Sequence, residues 1–371
     1  MNDFSDDWVE ISLGEAFSVK RGDSSLTKSA YRSTGTLAFS ASGPDGFVEE
    51  CQNDGAGIVV SSVGAQCGKI FKASGKWTAI NNTISITEKT SKFSIEYLYY
   101  LLERQDILLP EGGAQPFISQ KEVVGATLYF PPLPEQKKIA EILSGVDKQI
   151  TNKTKEVEKH QFLISGILNQ LMTSGTTNRM VVETEAGRVP ENWIVGKVED
   201  FFELGRGRVI SIPYIKENPG PYPVFSSQSK NNGEMGRMNS YDFDGDYFTW
   251  TTDGAYAGSV FARSGKFNCT NVCGTGRAKS SSDADTRFAA YFLQRVAKRH
   301  VSYVGNPKLM NNVFAAIPFA LPPIGEQREI AKIIDAQKSG AALLERQIAS
   351  LSNLKSSIAS DLLSGRKRVS V

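Results

Sequence analysis

The chain has 371 residues, of which 40% are hydrophobic and 22% charged, and its net charge is +2. That length exceeds one ordinary domain and suits two of middling size with connectors. Near-neutral charge excludes a uniformly basic surface, so a nucleic-acid role requires locally clustered cations or phosphate contacts made by partners.

The chain starts Met1-Asn2-Asp3-Phe4-Ser5-Asp6-Asp7, acidic and without the apolar core of a secretory signal. No later run reaches the ~18 apolar residues of a spanning helix, and four cysteines do not make a disulfide framework. A reduced, cytoplasmic protein without membrane contact is expected.

A first unit opens at Trp8 and runs through Phe17 to Lys20-Arg21-Gly22. A second opens at Trp193 and runs through Phe202 to Arg206-Gly207. The correspondence continues: Gly64-Ala65 with Gly254-Ala255, Gly68-Lys69-Ile70-Phe71 with Gly258-Ser259-Val260-Phe261, and Ser74-Gly75-Lys76-Trp77 with Ser264-Gly265-Lys266-Phe267. The chain is an internal repeat whose insertions fall in loops.

Within each copy, short β-type runs are broken by glycine, serine and asparagine: 57–62, 69–73, 78–87, 246–252 and 259–263. An amphipathic helical stretch follows (95–104, 286–295). Next comes a glycine-proline loop, Gly112-Gly113-Ala114-Gln115-Pro116 or Gly305-Asn306-Pro307, and a strand leading into a double proline. Each unit therefore reads as α+β.

The double proline opens the feature that orders the chain. Pro131-Pro132-Leu133-Pro134-Glu135-Gln136-Lys137-Lys138-Ile139-Ala140 recurs as Pro322-Pro323-Ile324-Gly325-Glu326-Gln327-Arg328-Glu329-Ile330-Ala331. Beyond it, steps of four and three give Ile139, Leu143, Val146, Ile150, Lys153, Val157, His160, Ile164, Ile167 and Leu171. The second copy gives Ile330, Ile334, Gln337, Ala341, Leu344, Ile348, Leu351, Lys355, Ile358 and Leu362. Each is a heptad seam on a rod of ~50 Å, stopped at Ser174-Gly175 or Ser364-Gly365. Gly325, in place of Pro134, should make the second helix entry less rigid. A rod with one apolar stripe needs a partner, so an intramolecular antiparallel pair is expected.

On these residues the chain resembles the specificity subunits of type I restriction-modification enzymes. The resemblance implies two target-recognition domains joined by two long antiparallel coiled-coil helices. Residues 1–134 and 176–325 would be the recognition domains, 135–175 the first spacer helix, and 326–371 the second with a basic C-terminal tail. Each domain would read one half of a bipartite double-stranded DNA site. Two methyltransferase subunits and two restriction subunits would be partners, carrying S-adenosylmethionine, ATP and magnesium, with no cofactor on this chain. A fused methylase-nuclease is the alternative partner, and a catalytic methyltransferase or nuclease the alternative identity.

Reading bases needs Arg or Lys for guanine and Asn or Gln for adenine. In the first unit the candidates are Lys20, Arg21, Lys28, Tyr31, Arg32, Ser40, Ser42, Gln66, Lys69, Asn81 and Asn82. In the second they are Arg206, Arg208, Ser226, Gln228, Lys230, Asn231, Asn232, Tyr256, Arg277 and Lys279. The recurring Arg-Gly pairs read as phosphate contacts or as a shared turn.

No catalytic residues are expected. Asn218-Pro219-Gly220 and Asn306-Pro307-Lys308 lack the second proline of an amino-methyltransferase tetrapeptide, and Gly205-Arg206-Gly207-Arg208 lacks the Gly-Lys-Ser/Thr of a phosphate loop. Cys269 and Cys273 have no second pair at ligand spacing, so structural thiols are expected and no metal. His160 falls on a seam, where a polar residue sets register. Lys298-Arg299-His300 reads as a solvated or phosphate-facing cluster.

Overall fold

The computed structural model describes residues 7–370 apart from Gln105, Asp106, Ala114, Asn178, Ser229 and the Lys230 side chain. The acidic start before Asp7 and the Ala114 position of the glycine-proline loop lie outside the described residues. Two compact units result: Met1–Lys155 with Glu345–Val371, and Glu156–Leu344. The division runs through the middle of both long helices. Each unit is thus one globular part with half of each helix, where the sequence suggested serial segments.

In the first unit, strand Val9–Ser12 pairs with Thr127–Phe130, the strand that enters the double proline. One antiparallel sheet has the order Phe17–Arg21, Thr83–Glu88, Gly57–Ser61, Ile70–Ala73. The other has the order Gly43–Val48, Thr36–Ser40, Lys76–Ala79, Asn53–Asp54, with one parallel pair. The β-branched run Gly57–Ser61 is buried throughout, as expected of a strand covered on both faces. Trp77 meets Phe39 edge-on at 5.8 Å. The expected single run 78–87 is two strands in different sheets, turned at Asn81-Asn82, where Asn82 adopts φ 65°.

The second unit repeats this plan. Its sheets are Phe202–Arg206, Cys273–Ala278, Tyr247–Thr251, Val260–Arg263, and Glu234–Met238, Pro219–Phe225, Lys266–Cys269, Phe243–Asp244. Ile194–Lys197 pairs with Pro318–Leu321. Trp250 stacks on Phe314 at 3.8 Å. Helices Ile95–Glu103 and Thr286–Val296 close the two cores. Each is N-capped, by Ser94 and by Asp285.

The long helices span Leu133–Ser174 and Ile324–Leu363, 42 and 40 residues. Both start at the residue after the double proline, so Gly325 does not displace the second start. Gly175 and Gly365 follow their C-termini at φ 66° and 73°. Every seam position expected from the heptads is buried or half-buried. The helices run antiparallel in each unit. In the first, Ile139 and Leu143 share a core with Leu362 and Leu363. In the second, Leu171 and Met172 join Ile330 and Ile334. His160 donates Nε2–H to the Gln337 carbonyl at 3.1 Å, and Gly340 lies against the ring. Two polar seam positions thus face each other and fix register.

The repeated Glu-Gln has a role that the sequence reading missed. Gln136 is 1% exposed, donates to the Pro131 carbonyl at 2.8 Å, and accepts from Ser94 N–H at 2.8 Å. Gln327, 0% exposed, donates to Pro322 and Asp283 carbonyls at 2.7 and 2.8 Å and accepts from Asp285 N–H at 2.7 Å. Each glutamine brackets the long-helix start to the N-cap of the short helix. Beyond complementing the helix dipole, Glu135 is buried and receives Arg368 at 2.6–3.0 Å, which also grips Asp7. Glu326 instead accepts from Thr176 N–H at 2.9 Å and Trp193 Nε1–H at 3.3 Å.

Each short helix is also tied to a long one by tyrosine. Tyr100 donates to Asp147 at 2.8 Å, and Lys355 bridges Asp147 and Glu103 at 2.9 and 2.7 Å. Tyr291 donates to Asp335, with Lys338 over its ring at 4.2 Å.

Candidate nucleic-acid interface

In the first unit four turns are knitted into one edge. Gly64 and Gly68 both stand at φ 86°, conformations that favour glycine. Gly68 N–H donates to Ser61 O, and Gly64 N–H to Pro116 O, both at 2.9 Å. Ser62 N–H donates to Asn82 O at 3.0 Å, and Gly22 N–H to Thr83 O at 2.8 Å. The Arg-Gly turn, the Asn-Asn turn, the Gly-Ala turn and the glycine-proline loop therefore meet. Arg21, Gln66, Lys69, Asn81 and Asn82 lie on this edge, beside Lys20. Arg21 and Lys69 are exposed, and neither side chain is hydrogen-bonded or ion-paired among the described residues.

The second unit builds the same edge. Gly254 and Gly258 stand at φ 93° and 80°. Gly258 N–H donates to Thr251 O and Gly254 N–H to Pro307 O, both at 2.9 Å. Thr252 N–H donates to Val272 O at 3.0 Å, and Gly207 N–H to Cys273 O at 3.1 Å. Tyr256 projects from the Gly-Ala turn, 48% exposed.

The Arg-Gly pairs are a shared turn. A Cβ on Gly22 would lie 2.1 Å from Ile80 O, and one on Gly207 2.2 Å from Cys269 O. Gly207→Ala should therefore displace this turn, at about 3 kcal/mol by the scale of overpacking. A thermal melt checks this, with Gly265→Ala as control, since no atom lies within 4 Å of the Cβ there although its φ of 76° adds strain. The arginines diverge: Arg206 is held by Asn271 O at 2.5 Å and by Asp253 at 3.4 Å.

The remaining candidates sort by what already holds them. Lys28 pairs with Asp45 at 2.5 Å, and Tyr31 and Ser40 donate to the same carboxylate. Burial opposes ionisation of Asp45, yet Lys28, Tyr31 and Ser40 hold its pKa below the usual value. Burial, then Asp45, pushes Tyr31 up to about 12. Ser40 is 4% exposed and donates to Asp45 at 2.8 Å. Ser42 is exposed beside it. Arg32 pairs with Glu49 at 2.5 Å and Arg208 with Asp242 at 2.8 Å.

Ser226 receives the Thr270 hydroxyl at 3.1 Å, and Gln228 donates to Glu234 O. Asn231 and Asn232 are exposed at φ 49° and 55°, braced by Arg263, which donates to Asn232 O at 2.8 Å. Arg263 stacks 3.6 Å from the Phe225 ring centre, and burial pulls its pKa down to about 10. The Lys230 side chain lies outside the described residues. Arg277 and Lys279 lie apart from the other candidates. The register Phe202↔Ala278 and Arg206↔Gly274 puts them at the opposite end of the sheet from the turns, and Lys279 donates to Glu199 O at 2.6 Å.

Cys269 and Cys273 are buried, free thiols beneath the Arg206-Gly207 turn. Their mutual hydrogen bond, with burial, pushes the Cys269 thiol up. Among the described residues no group of three or more His, Cys, Asp or Glu could hold a metal ion, and no helix is long and apolar enough to cross a membrane.

Known proteins share both sequence and fold with this chain. The family model described as the type I restriction modification DNA specificity domain matches residues 5–159 and again 190–353. A Mycoplasma pneumoniae protein named as a type I specificity subunit is 37% identical over 210 residues, 56% of this chain and 80% of its own. The type I restriction enzyme MpnII specificity subunit of the same organism is 43% identical over 141 residues, 38% of this chain and 42% of its own. The crystal structure of a type I restriction-modification S subunit from M. genitalium superposes with TM-score 0.69 at 15% identity, covering 98% of this chain and 97% of its own.

Proposed function

The chain belongs to the type I restriction-modification DNA specificity family, and from that premise we propose that each unit reads one half of a bipartite duplex site. The long helices set the distance between half-sites and dock two methyltransferase subunits, with two restriction subunits as further partners. Chemistry resides on those partners: S-adenosylmethionine on the methyltransferase, ATP and magnesium on the restriction subunits.

One observation carries this reading. The same turn-built edge occurs in both units on the same backbone hydrogen bonds, while its side chains differ. Such a scaffold can present two base-reading sets from one fold, since phosphate contacts position and base contacts specify.

The test mixes the purified chain with a type I methyltransferase subunit from the same host and a duplex from the host genome. Methyl transfer should need both proteins. Methylation or cleavage by this chain alone would overturn the assignment.

A further inference from the structure

The two edges carry their free cations in different places, and the difference is built into equivalent backbone positions. Gly68 of the first unit abuts the Leu108 carbonyl and Pro110. Gly258 of the second abuts the Lys298 backbone and Val301. The bridges Glu111↔Phe117 and Ser302↔Lys308 extend the match. In this register Ile107-Leu108-Leu109 of the first unit is replaced by Lys298-Arg299-His300 in the second. Glu111 is replaced by Ser302, and Phe117 by Lys308.

Lys298, Arg299, His300 and Lys308 are all exposed. None of their side chains is ion-paired or hydrogen-bonded among the described residues. Asp253, the carboxylate beside them, is already engaged by Arg206 at 3.4 Å and by the Thr252 hydroxyl at 2.6 Å. A helix end favours a cation or two through its dipole. That does not account for Lys308, which arrives from a different loop, nor for the repulsion that Arg299 exerts on Arg295.

Resting on the reading above, we infer that Lys298, Arg299, His300 and Lys308 form a clamp on DNA backbone phosphates in the second unit, which the first unit lacks. The clamp holds the duplex against the Gly254–Ser259 turn without reading bases, so the second half-site is anchored from a different part of the edge than the exposed Arg21 and Lys69 of the first.

The test uses the full chain with its methyltransferase and a fluorescent duplex carrying the site found by methylation mapping, titrated across salt concentrations. The variant replaces Lys298, Arg299, His300 and Lys308 by glutamine. The control replaces Arg328 and Lys332, exposed on the second long helix, by glutamine. Each lost phosphate contact should flatten the slope of log K against log salt by ~0.9. Contacts from Lys298, Arg299 and Lys308 would thus flatten it by about 2.7 and weaken binding roughly 170-fold at 0.15 M, with the methylated motif unchanged. Lys298→Arg with Lys308→Arg should retain the slope, which separates lost charge from misfolding.

A glutamine variant with wild-type slope and affinity overturns the clamp, as does a changed second half-motif with an unchanged slope. Failure of the wild-type chain to prefer the mapped duplex would instead contradict the proposed function.

Discussion

Gln327→Ala is expected to destabilise the second unit by about 4 kcal/mol, because it strands one buried and two part-buried backbone groups at roughly 1–3 kcal/mol each. The Asp285 N–H and the carbonyls of Asp283 and Pro322 would lose their partner at a position 0% exposed. Gln136→Ala should act alike in the first unit through Ser94 N–H, Pro131 O and Lys92 O. A melting shift of roughly 8–16 °C corresponds to that loss for a unit of this size. Faster amide exchange at Asp285 would localise it. Arg328→Ala, the exposed neighbour, is the control, and a shift no larger than its own would show that the brackets do not hold the helix starts.

Inserting one heptad into each long helix, between Lys155 and Glu156 and between Leu344 and Glu345, should lengthen the preferred spacer by about three base pairs. Seven residues add ~10 Å of helix, close to three base-pair steps of ~3.4 Å. Both seams keep their phase because the insertion is a whole heptad. An insertion in the first helix alone should instead abolish specific binding, since contacts such as Lys355 to Asp147 and His160 to Gln337 pin the antiparallel register. Methylation sequencing reads the spacer directly. A doubly inserted chain that keeps the original spacer would mean that the helices are not the ruler.

The parts of the fold set by periodicity were legible. A seam of apolar residues every three or four positions can only be satisfied by a helix with a partner. The duplicated double proline marked both starts, and Gly175 marked a stop. The roles of Glu135 and Gln136 were not legible because their partners, Arg368 and Ser94, are distant in sequence and only the fold unites them.

The candidate site was legible in part for the same reason. Arg21, Gln66, Asn81 and their counterparts were flagged by type and loop context, which finds the turn-built edge. Residue type alone does not show that Ser40 is buried on Asp45, or that Arg277 sits at the far end of its strand. Lys298-Arg299-His300 was visible as a basic run. Its significance appears only when Gly258 is found against Lys298 and Gly68 against Leu108.

Methylation mapping of DNA from cells carrying this chain with its methyltransferase, compared with cells lacking it, tests the central claim most directly. Two short defined half-sites, separated by a fixed run of unspecified bases and dependent on this chain, are the expected result. A single uninterrupted motif, or methylation unchanged when the chain is absent, would contradict it.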